Sequence, residues 1–201
     1  MHKPAETSFP LHDLIRQRWS PVAFSSRPIP PEILGSLFEA ARWAASSYGE
    51  QPWCFCVATQ DQPTEFAALL SCLVDVNQAW AKHAYALAIS CAQLQFARNQ
   101  KPNRHAYHDV GLATANLILQ GQSQGLYCHM MGGFDPALAR TTLGIPDTHE
   151  PIAAIAIGYP ADDLAQVAPE HQQRDLAPRT RKPLTDQVFT GRWGKFAGPF
   201  Q

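Results

Sequence analysis

The sequence has few charged residues and no excess of either sign. Charged side chains make up 16% of the 201 residues, and 16 Lys and Arg against 17 Asp and Glu give a formal charge of −1. This charged fraction is well below the usual quarter, which is compatible with a large subunit interface. No overall positive field exists to hold a phosphate backbone, so nucleic acid is not an expected partner. Any bound anion must be held by a local cluster of Arg or Lys with backbone N–H groups.

Long apolar runs and paired cysteine motifs are also missing. The N-terminal MHKPAETSFP lacks the apolar run of a signal peptide, and no stretch approaches the length needed to span a bilayer. We therefore expect a soluble, cytoplasmic protein without a membrane partner. The five cysteines are odd in number and include no C-x-x-C pair, which favours buried free thiols.

Several catalytic signatures are absent or fail on geometry. No G-x-G-x-x-G supports a dinucleotide-binding Rossmann unit, and no paired carboxylates in the candidate segments suggest hydrolysis. Cys128 and His129 are adjacent, but neighbours on a strand face opposite ways and cannot form a nucleophile and base pair. His105 and His108 lie beside Asp109 without an evident third ligand, so no metal site is predicted. The chemistry is expected to belong to a cofactor.

Apolar periodicity predicts helices alternating with four or five strands in one domain, residues 1–201. Helices are predicted over 11–20, 30–46, 63–73, 104–124 and 135–143, and strands over 53–59, 85–91, 125–130 and 151–158. This order is compatible with either an α/β or an α+β sandwich around one sheet. Beyond Pro160 no periodicity remains, and the basic stretch 161–201 is predicted to be a C-terminal arm.

Three polar segments at element ends are candidates for a ligand site. Residues 16–20 (RQRWS) place two guanidinium groups and a hydroxyl at a helix end, which suits phosphate but equally a solvated surface. Residues 45–53 (ASSYGEQPW) concentrate hydroxyls, an amide and aromatics that could cover a flat ring, or form an ordinary connection. Residues 130–135 (MMGGFD) contain two glycines that allow close backbone approach to a ligand, or form a plain turn.

In this order the segments resemble the nitroreductase family, whose members share an N-terminal R-R-S, a P-S-S-x-N-x-Q-P-W turn and a strand leading to G-G-F. The likeness covers nearly the whole chain and is especially close over residues 125–159, and residues 77–81 (NQAWA) also fit. The resemblance implies an α+β fold, a three-layer α/β/α sandwich around a mixed, mainly antiparallel sheet. It also implies a homodimer with FMN in each of two grooves between the subunits.

The resemblance distributes the flavin contacts over several segments of the chain. Arg18 and Ser20 are expected at the FMN phosphate or ribityl chain, with Arg179 and Arg181 reaching back from the tail. Asn77 would hydrogen-bond the pyrimidine edge of the flavin. The remaining contacts implied are Ser46, Ser47 and Gln51 from the partner subunit, and the backbone of Gly132 and Gly133 against the ring near N5.

Three residues depart from the family pattern. Trp19 occupies the place of the second arginine, Ala45 that of the proline and Gly49 that of the asparagine. Trp19 and Gly49 are still expected at the cofactor. The tryptophan leaves phosphate binding more dependent on Arg18 and the tail, and the glycine removes an amide near the ring.

The implied reaction is ping-pong redox chemistry carried by the flavin. NADH or NADPH would give hydride to flavin N5 and leave, and a small-molecule electron acceptor, a nitroaromatic or quinone, would take its place. No catalytic side chain is then predicted, because the protein supplies orientation and electrostatics. A specialised flavin dehydrogenase or dehalogenase and a flavin-binding protein without turnover remain alternatives.

Overall fold

The computed structural model describes residues 3–165 and 167–195, in which helices pack on both faces of one sheet. The helices are α1 (Asp13–Gln17), α2 (Pro31–Arg42), α3 (Pro63–Ser71), α4 (Asp75–Ala81), α5 (Ala106–Ser123), α6 (Pro136–Leu143) and α7 (Pro169–Leu176). The strands are β1 (Trp53–Thr59), β2 (Ala86–Gln93), β3 (Tyr127–Met131) and β4 (His149–Gly158). Short 3₁₀ turns cover Ser47–Gly49 and Leu184–Asp186.

The strands form one sheet in the order β1-β2-β4-β3. The pairs β1–β2, β2–β4 and β3–β4 are each antiparallel. This bears out the mainly antiparallel α+β fold expected from the resemblance. No parallel pair occurs between the described strands, so the mixed character of the predicted sheet is not found in this part of the chain.

Alternation along the strands produces two apolar cores, one on each face. Leu87 and Ile89 of β2 face a core shared with Phe66 and Trp80 from α3 and α4. The intervening alanines of β2 face a second core, together with Leu37 of α2 and residues of α5. Because side chains on a strand alternate between faces, the sheet is covered on both sides and the predicted three-layer sandwich is confirmed.

The predicted C-terminal end of helix α2 is wrong by four residues. The helix ends at Arg42 rather than Ser46, and Ser46 has extended backbone angles (φ −147°, ψ 155°). The Ser46 hydroxyl accepts a hydrogen bond from the backbone N–H of Gln51 at 3.1 Å. This bond holds Ser46 in the following turn, so the helix does not extend to it.

Two helices were not predicted. Helix α4 is one of them, and α7 lies in the tail where no periodicity was found. Helix α7 is short and polar, but its Asp175 is buried and its carboxylate accepts from Val22 N–H at 3.0 Å. Lys3 Nζ donates to the Asp175 carbonyl at 2.6 Å. Contacts with the rest of the chain therefore stabilise α7, although its own sequence gives little indication of a helix.

The structure describes only part of the predicted C-terminal arm, residues 161–201. Residue 166 and residues 196–201 lie outside the described residues, as do residues 1 and 2. Whether the stretch as a whole acts as an arm stays a prediction. Among the described helices, none has the length and apolarity needed to cross a membrane.

Candidate functional site

A basic cavity of about 310 Å³ lies between the end of α1 and the segment after α7. Its lining includes five residues expected from the sequence, namely Arg18, Trp19, Ser20, Arg179 and Arg181. They meet because Arg18 caps the C-terminus of α1, and Arg179 Nη1 donates to the carbonyls of Lys3 and Arg16 at 2.6 and 3.1 Å. The N-terminal segment and the segment after α7 are thereby tied together around the cavity.

Among the described residues no carboxylate forms an ion pair with the arginines of the cavity, and the one carboxylate that lines it, Asp175, is buried and interacts electrostatically with Lys3 and Arg174. Arg18 Nη1 donates to the Ser20 hydroxyl at 3.2 Å, and Arg181 Nη1 donates to the Thr180 carbonyl at 2.7 Å. The pKa of Arg18 is lowered by burial, and then by the nearby charges of Arg179 and Arg181. Clustered, partly buried guanidinium groups are unfavourable without an anion, so this donor set fits a phosphate group.

The side chain of Arg16 does not line the cavity, although the sequence pattern placed it beside Arg18. Its guanidinium pairs with Asp13 of the same helix at 2.9 Å, and this ion pair is exposed. Only one of the two predicted guanidinium groups at the end of α1 therefore faces the cavity. Exposed pairs of this kind contribute little to stability.

Trp19 forms a wall of the cavity in the place where the family pattern has an arginine. The side chain is 5% exposed, meets Tyr127 edge-on and has the Lys3 ammonium 4.9 Å from its ring centroid. Its indole N–H is buried and has no partner among the described residues. A buried donor without an acceptor costs free energy.

Asn77 and the glycine pair form a second group, at the end of β3. Asn77 Nδ2 donates to the Gly133 carbonyl at 2.9 Å. A Cβ on Gly133 would lie 2.5 Å from that nitrogen, whereas one on Gly132 would meet nothing within 4 Å. Gly133 thus allows Asn77 to pack closely on its backbone, and Gly132 leaves an exposed stretch of backbone open to a ligand.

The turn of residues 46–51 has an unusual backbone. Tyr48, Gly49 and Gln51 all have positive φ, at 58°, 67° and 52°. Asparagine and glycine tolerate this left-handed region best, which explains why glycine can stand where the family pattern has asparagine. Ser47 N–H donates to Asp109 Oδ2 at 2.9 Å, so the turn is anchored to the start of α5.

Strand β3 connects the cavity to the glycine pair. His129 Nδ1 lies 2.6 Å from the Pro21 carbonyl, directly after Ser20, and the same strand leads into Gly132. By contrast, no hydrogen bond among the described residues joins the 46–51 turn to the cavity or to Asn77. Strand β3 thus runs from beside the cavity to the glycine pair, and the resemblance assigns the 46–51 turn to the partner's flavin.

The rejection of a Cys128–His129 dyad is confirmed by the two faces of the sheet. Cys128 packs in the core with α2 and α5, and burial raises its pKa to about 12. His129 lies on the opposite face, its ring 4.5 Å from that of Trp80. Burial, the dominant cause, together with the charges of Arg174 and Arg18, lowers the pKa of His129 to about 4.

His108 and His105 do not assemble into a metal centre in the described chain. His108 Nδ1 lies 3.1 Å from Asp109 Oδ1, and the other oxygen of that carboxylate accepts from the 46–51 turn. Within residues 3–165 and 167–195, no three His, Cys, Asp or Glu side chains come together in an arrangement that could hold a metal ion.

Residues 121–125 (GQSQG) match the G-x-S-x-G motif of serine hydrolases. In a serine hydrolase this motif follows a strand and opens a helix. Here it ends helix α5 and leads into β3, which is the reverse order. Ser123 Oγ donates to the Gln120 carbonyl at 2.7 Å, so the motif is a helix end and not a nucleophile elbow.

Two further cations of the cavity were also missed, Lys3 and Arg174. Lys3 lies in a segment without periodicity. Arg174 was noted only as one of several basic residues of the tail. The available signal was the spacing of Arg174 before Arg179 and Arg181, but the unpredicted helix α7 determines which of these side chains turn inward.

The sequence profile of the Nitroreductase family matches residues 15–159. The chain belongs to the nitroreductase family. This confirms the resemblance and the class of enzyme it implied, an oxidoreductase of the nitroreductase type. The matched region begins in α1 and ends after β4, so it includes the α1 end of the cavity, the 46–51 turn and the glycine pair.

Relatives agree with this assignment. The chain is 35% identical over 137 residues to an uncharacterized 15.4 kDa protein of Mycolicibacterium smegmatis, covering 67% of this chain and 88% of that protein. It superimposes on a crystal structure of an oxidoreductase containing FMN with a TM-score of 0.89 and 32% identity, covering 94% of this chain and 96% of that one. A nitroreductase family protein from Streptococcus pneumoniae, 19% identical with a TM-score of 0.69, shares the fold over 88% of this chain and 98% of its own.

Proposed function

We propose that this nitroreductase-family protein binds FMN and uses NADH or NADPH to reduce nitroaromatic or quinone-type acceptors. The observation that carries the proposal is the basic cavity, joined through one strand to an open pair of glycines. The solved relative with 32% identity is an oxidoreductase containing FMN, which supports the choice of flavin. The protein is proposed to work in the cytoplasm as a homodimer.

The phosphate end of FMN would be held by the cavity. Arg18, Arg179 and Arg181 supply guanidinium N–H donors, and Ser20 supplies a hydroxyl. Each charge-assisted hydrogen bond contributes about 1.5 to 3 kcal/mol, and micromolar affinity needs about 8 kcal/mol beyond the costs of association. Two or three such contacts contribute about 3 to 9 kcal/mol, and burial of the ring would supply the remainder.

The ring end would lie against the backbone at Gly132, where no side chain obstructs the approach. Asn77 is held next to it by its bond to the Gly133 carbonyl, which leaves the amide oxygen as an acceptor. When bound, FMN supplies hydride acceptance and donation at one ring nitrogen. The chain supplies position and charge, which agrees with the lack of an acid/base pair in the candidate segments.

A dimer is proposed because one chain provides only part of the expected contacts. Ser46, Ser47, Gly49 and Gln51 would reach the flavin of the partner subunit. Large apolar side chains are exposed on or next to α1, α2 and α5, and a subunit interface would bury them. These are Leu11, Ile15, Trp43, Tyr107 and Leu112.

The test combines flavin binding, mass in solution and turnover. We expect the protein to elute as a dimer, to bind FMN with a flavin absorption band, and to oxidise NADH or NADPH when a quinone or nitroaromatic is added. Double-reciprocal plots of the rate against nicotinamide concentration, recorded at several fixed acceptor concentrations, should give the parallel lines of ping-pong kinetics. A monomer that ignores FMN would refute the proposal, and bound flavin that neither nicotinamide reduces would restrict it to binding without turnover.

A further inference from the structure

Building on the proposed FMN site, we propose that Arg174 is an additional ligand of the cofactor phosphate and that the buried His129 positions it. Neither residue belongs to the set that the family resemblance assigned. The inference starts from the contact between Arg174 Nη2 and His129 Nε2, which are 3.0 Å apart. Arg174 lines the basic cavity, whereas His129 is 3% exposed behind it.

The two contacts of His129 determine which ring nitrogen carries the proton. Nδ1 lies 2.6 Å from the Pro21 carbonyl oxygen, which can only accept, so Nδ1–H donates. Nε2 faces a guanidinium group, which can only donate, so Nε2 accepts from Arg174. His129 is therefore neutral, with one defined tautomer, and it joins the backbone after Ser20 to the side chain of Arg174.

The neutral state is maintained by the surroundings of the ring. The charged groups that act on His129 are Arg174 from α7 and Arg18 after α1, and both are cations. Its ring packs on Trp80, which adds no charge. Burial is the largest influence on its pKa and acts in the same direction, toward the neutral form. A charged imidazole would lose the acceptor that Arg174 needs.

Arg174 has donors left for a ligand. Among the described residues, His129 is its one hydrogen-bond partner, and no carboxylate forms an ion pair with it. The neighbouring Asp175 accepts from Val22 N–H and forms no hydrogen bond or ion pair with Arg174, although the two charges interact electrostatically. The remaining guanidinium N–H groups are available to an anion in the cavity, in a fork geometry that matches phosphate oxygens.

The arrangement reduces the freedom of a long side chain. Helix α7 is fixed through Asp175, and the far end of Arg174 is fixed by His129. An arginine ordered before binding loses less conformational entropy when phosphate arrives. Because His129 lies on β3 three residues before Gly132, the strand that orients Arg174 also carries the backbone expected at the ring.

The experiment compares FMN with riboflavin, which lacks the phosphate. Titrations measure both dissociation constants for the wild type, Arg174→Ala, His129→Phe and the double variant. Arg174→Ala should weaken FMN binding roughly tenfold or more, and riboflavin binding should change little. His129→Phe keeps an aromatic ring but removes the acceptor, so it should reduce the FMN preference by about half an order of magnitude. His129→Gln, whose side-chain oxygen can accept from Arg174, should restore part of it.

The double variant and a matched arginine control complete the design. If His129 acts through Arg174, the double variant should bind FMN no more weakly than Arg174→Ala. Arg16→Ala removes a nearby arginine whose guanidinium pairs with Asp13 outside the cavity, and it should leave the FMN preference unchanged. If His129→Phe does not fold, as judged by its thermal transition, His129→Leu, which also lacks an acceptor, and its double variant with Arg174→Ala take its place.

The outcomes separate this inference from the proposed function. Wild-type protein that does not bind FMN refutes the proposed function. FMN binding with an unchanged FMN-to-riboflavin ratio in Arg174→Ala overturns the role of Arg174. A reduced ratio in Arg174→Ala, together with losses in His129→Phe that are equal for both flavins, overturns the positioning role of His129.

Discussion

Two adjacent glycines at the end of β3 have different roles. One allows a neighbouring side chain to pack against the backbone, and the other leaves the backbone accessible to a ligand. Gly133 leaves room for Asn77, whose nitrogen would be 2.5 Å from a Cβ at that position. Gly132 has no such neighbour and is exposed. The sequence alone could not distinguish these two roles, because a glycine is found both where a side chain packs against the backbone and where a ligand approaches it.

This difference gives a matched pair of variants. Gly133→Ala should lower the free energy of unfolding by about 1 to 3 kcal/mol, because the methyl group displaces Asn77. Gly132→Ala should leave stability nearly unchanged but weaken flavin binding if the ring lies against this backbone. Urea unfolding and flavin titration of both variants provide the measurements. Equal stabilities would show that the space beside Gly133 can relax without cost.

Most of the charged and polar residues that line the cavity were predicted from the sequence, but not all of them. Arg18, Ser20, Arg179 and Arg181 followed from the family pattern, and they meet in the structure. Arg174 could not be selected, because its inward direction depends on a buried histidine 45 positions earlier in the chain. A contact between residues so far apart leaves no local signal.

Among the elements, those with strong local signals were predicted most accurately. β1 matches the predicted range 53–59, and α6 starts after the predicted cap, Asp135. The short α4 and the polar α7 were missed, because each is stabilised mainly by contacts with the rest of the chain. The end of α2 was misplaced because Ser46 bonds the backbone of the following turn.

The cap of α6 is a direct test of such a local signal. Asp135 Oδ1 accepts from the N–H groups of Ala137 and Leu138 at 2.9 and 3.0 Å. Asp135→Ala should therefore reduce the free energy of unfolding by about 1 kcal/mol. Asp162→Ala, at an exposed position outside any helix, is the control and should have no measurable effect. A loss of similar size in both variants would mean that general charge, not capping, is responsible.

For the molecule as a whole, the buried His129 makes stability depend on pH. Its pKa is about 4 in the folded protein, below the ordinary value of 6.5, mainly because of burial. Between these values the unfolded chain binds a proton that the folded protein does not. The contribution is complete above pH 6.5 and is lost as pH falls toward 4, by up to roughly 3 kcal/mol.

Urea unfolding at pH 7 and pH 4.5 measures this effect. His129→Gln removes the titrating group, so its stability should fall less on acidification than that of the wild type. Subtracting the two curves removes the opposite contribution of Asp175, whose pKa is raised by burial. His105→Gln, at an exposed position, should behave like the wild type. Parallel losses in wild type and His129→Gln would contradict the assignment.

Side chains along β3 point alternately to the two faces of the sheet, and this restricts insertions and deletions within the strand. Cys128 and His129 belong to opposite cores, and a single inserted or deleted residue before them would exchange their sides. Arg174 would then face a thiol, and a polar ring would enter the apolar layer beside α5. Evolutionary insertions and deletions should therefore accumulate in loops, such as the one between β2 and α5, while the length of this five-residue strand is preserved.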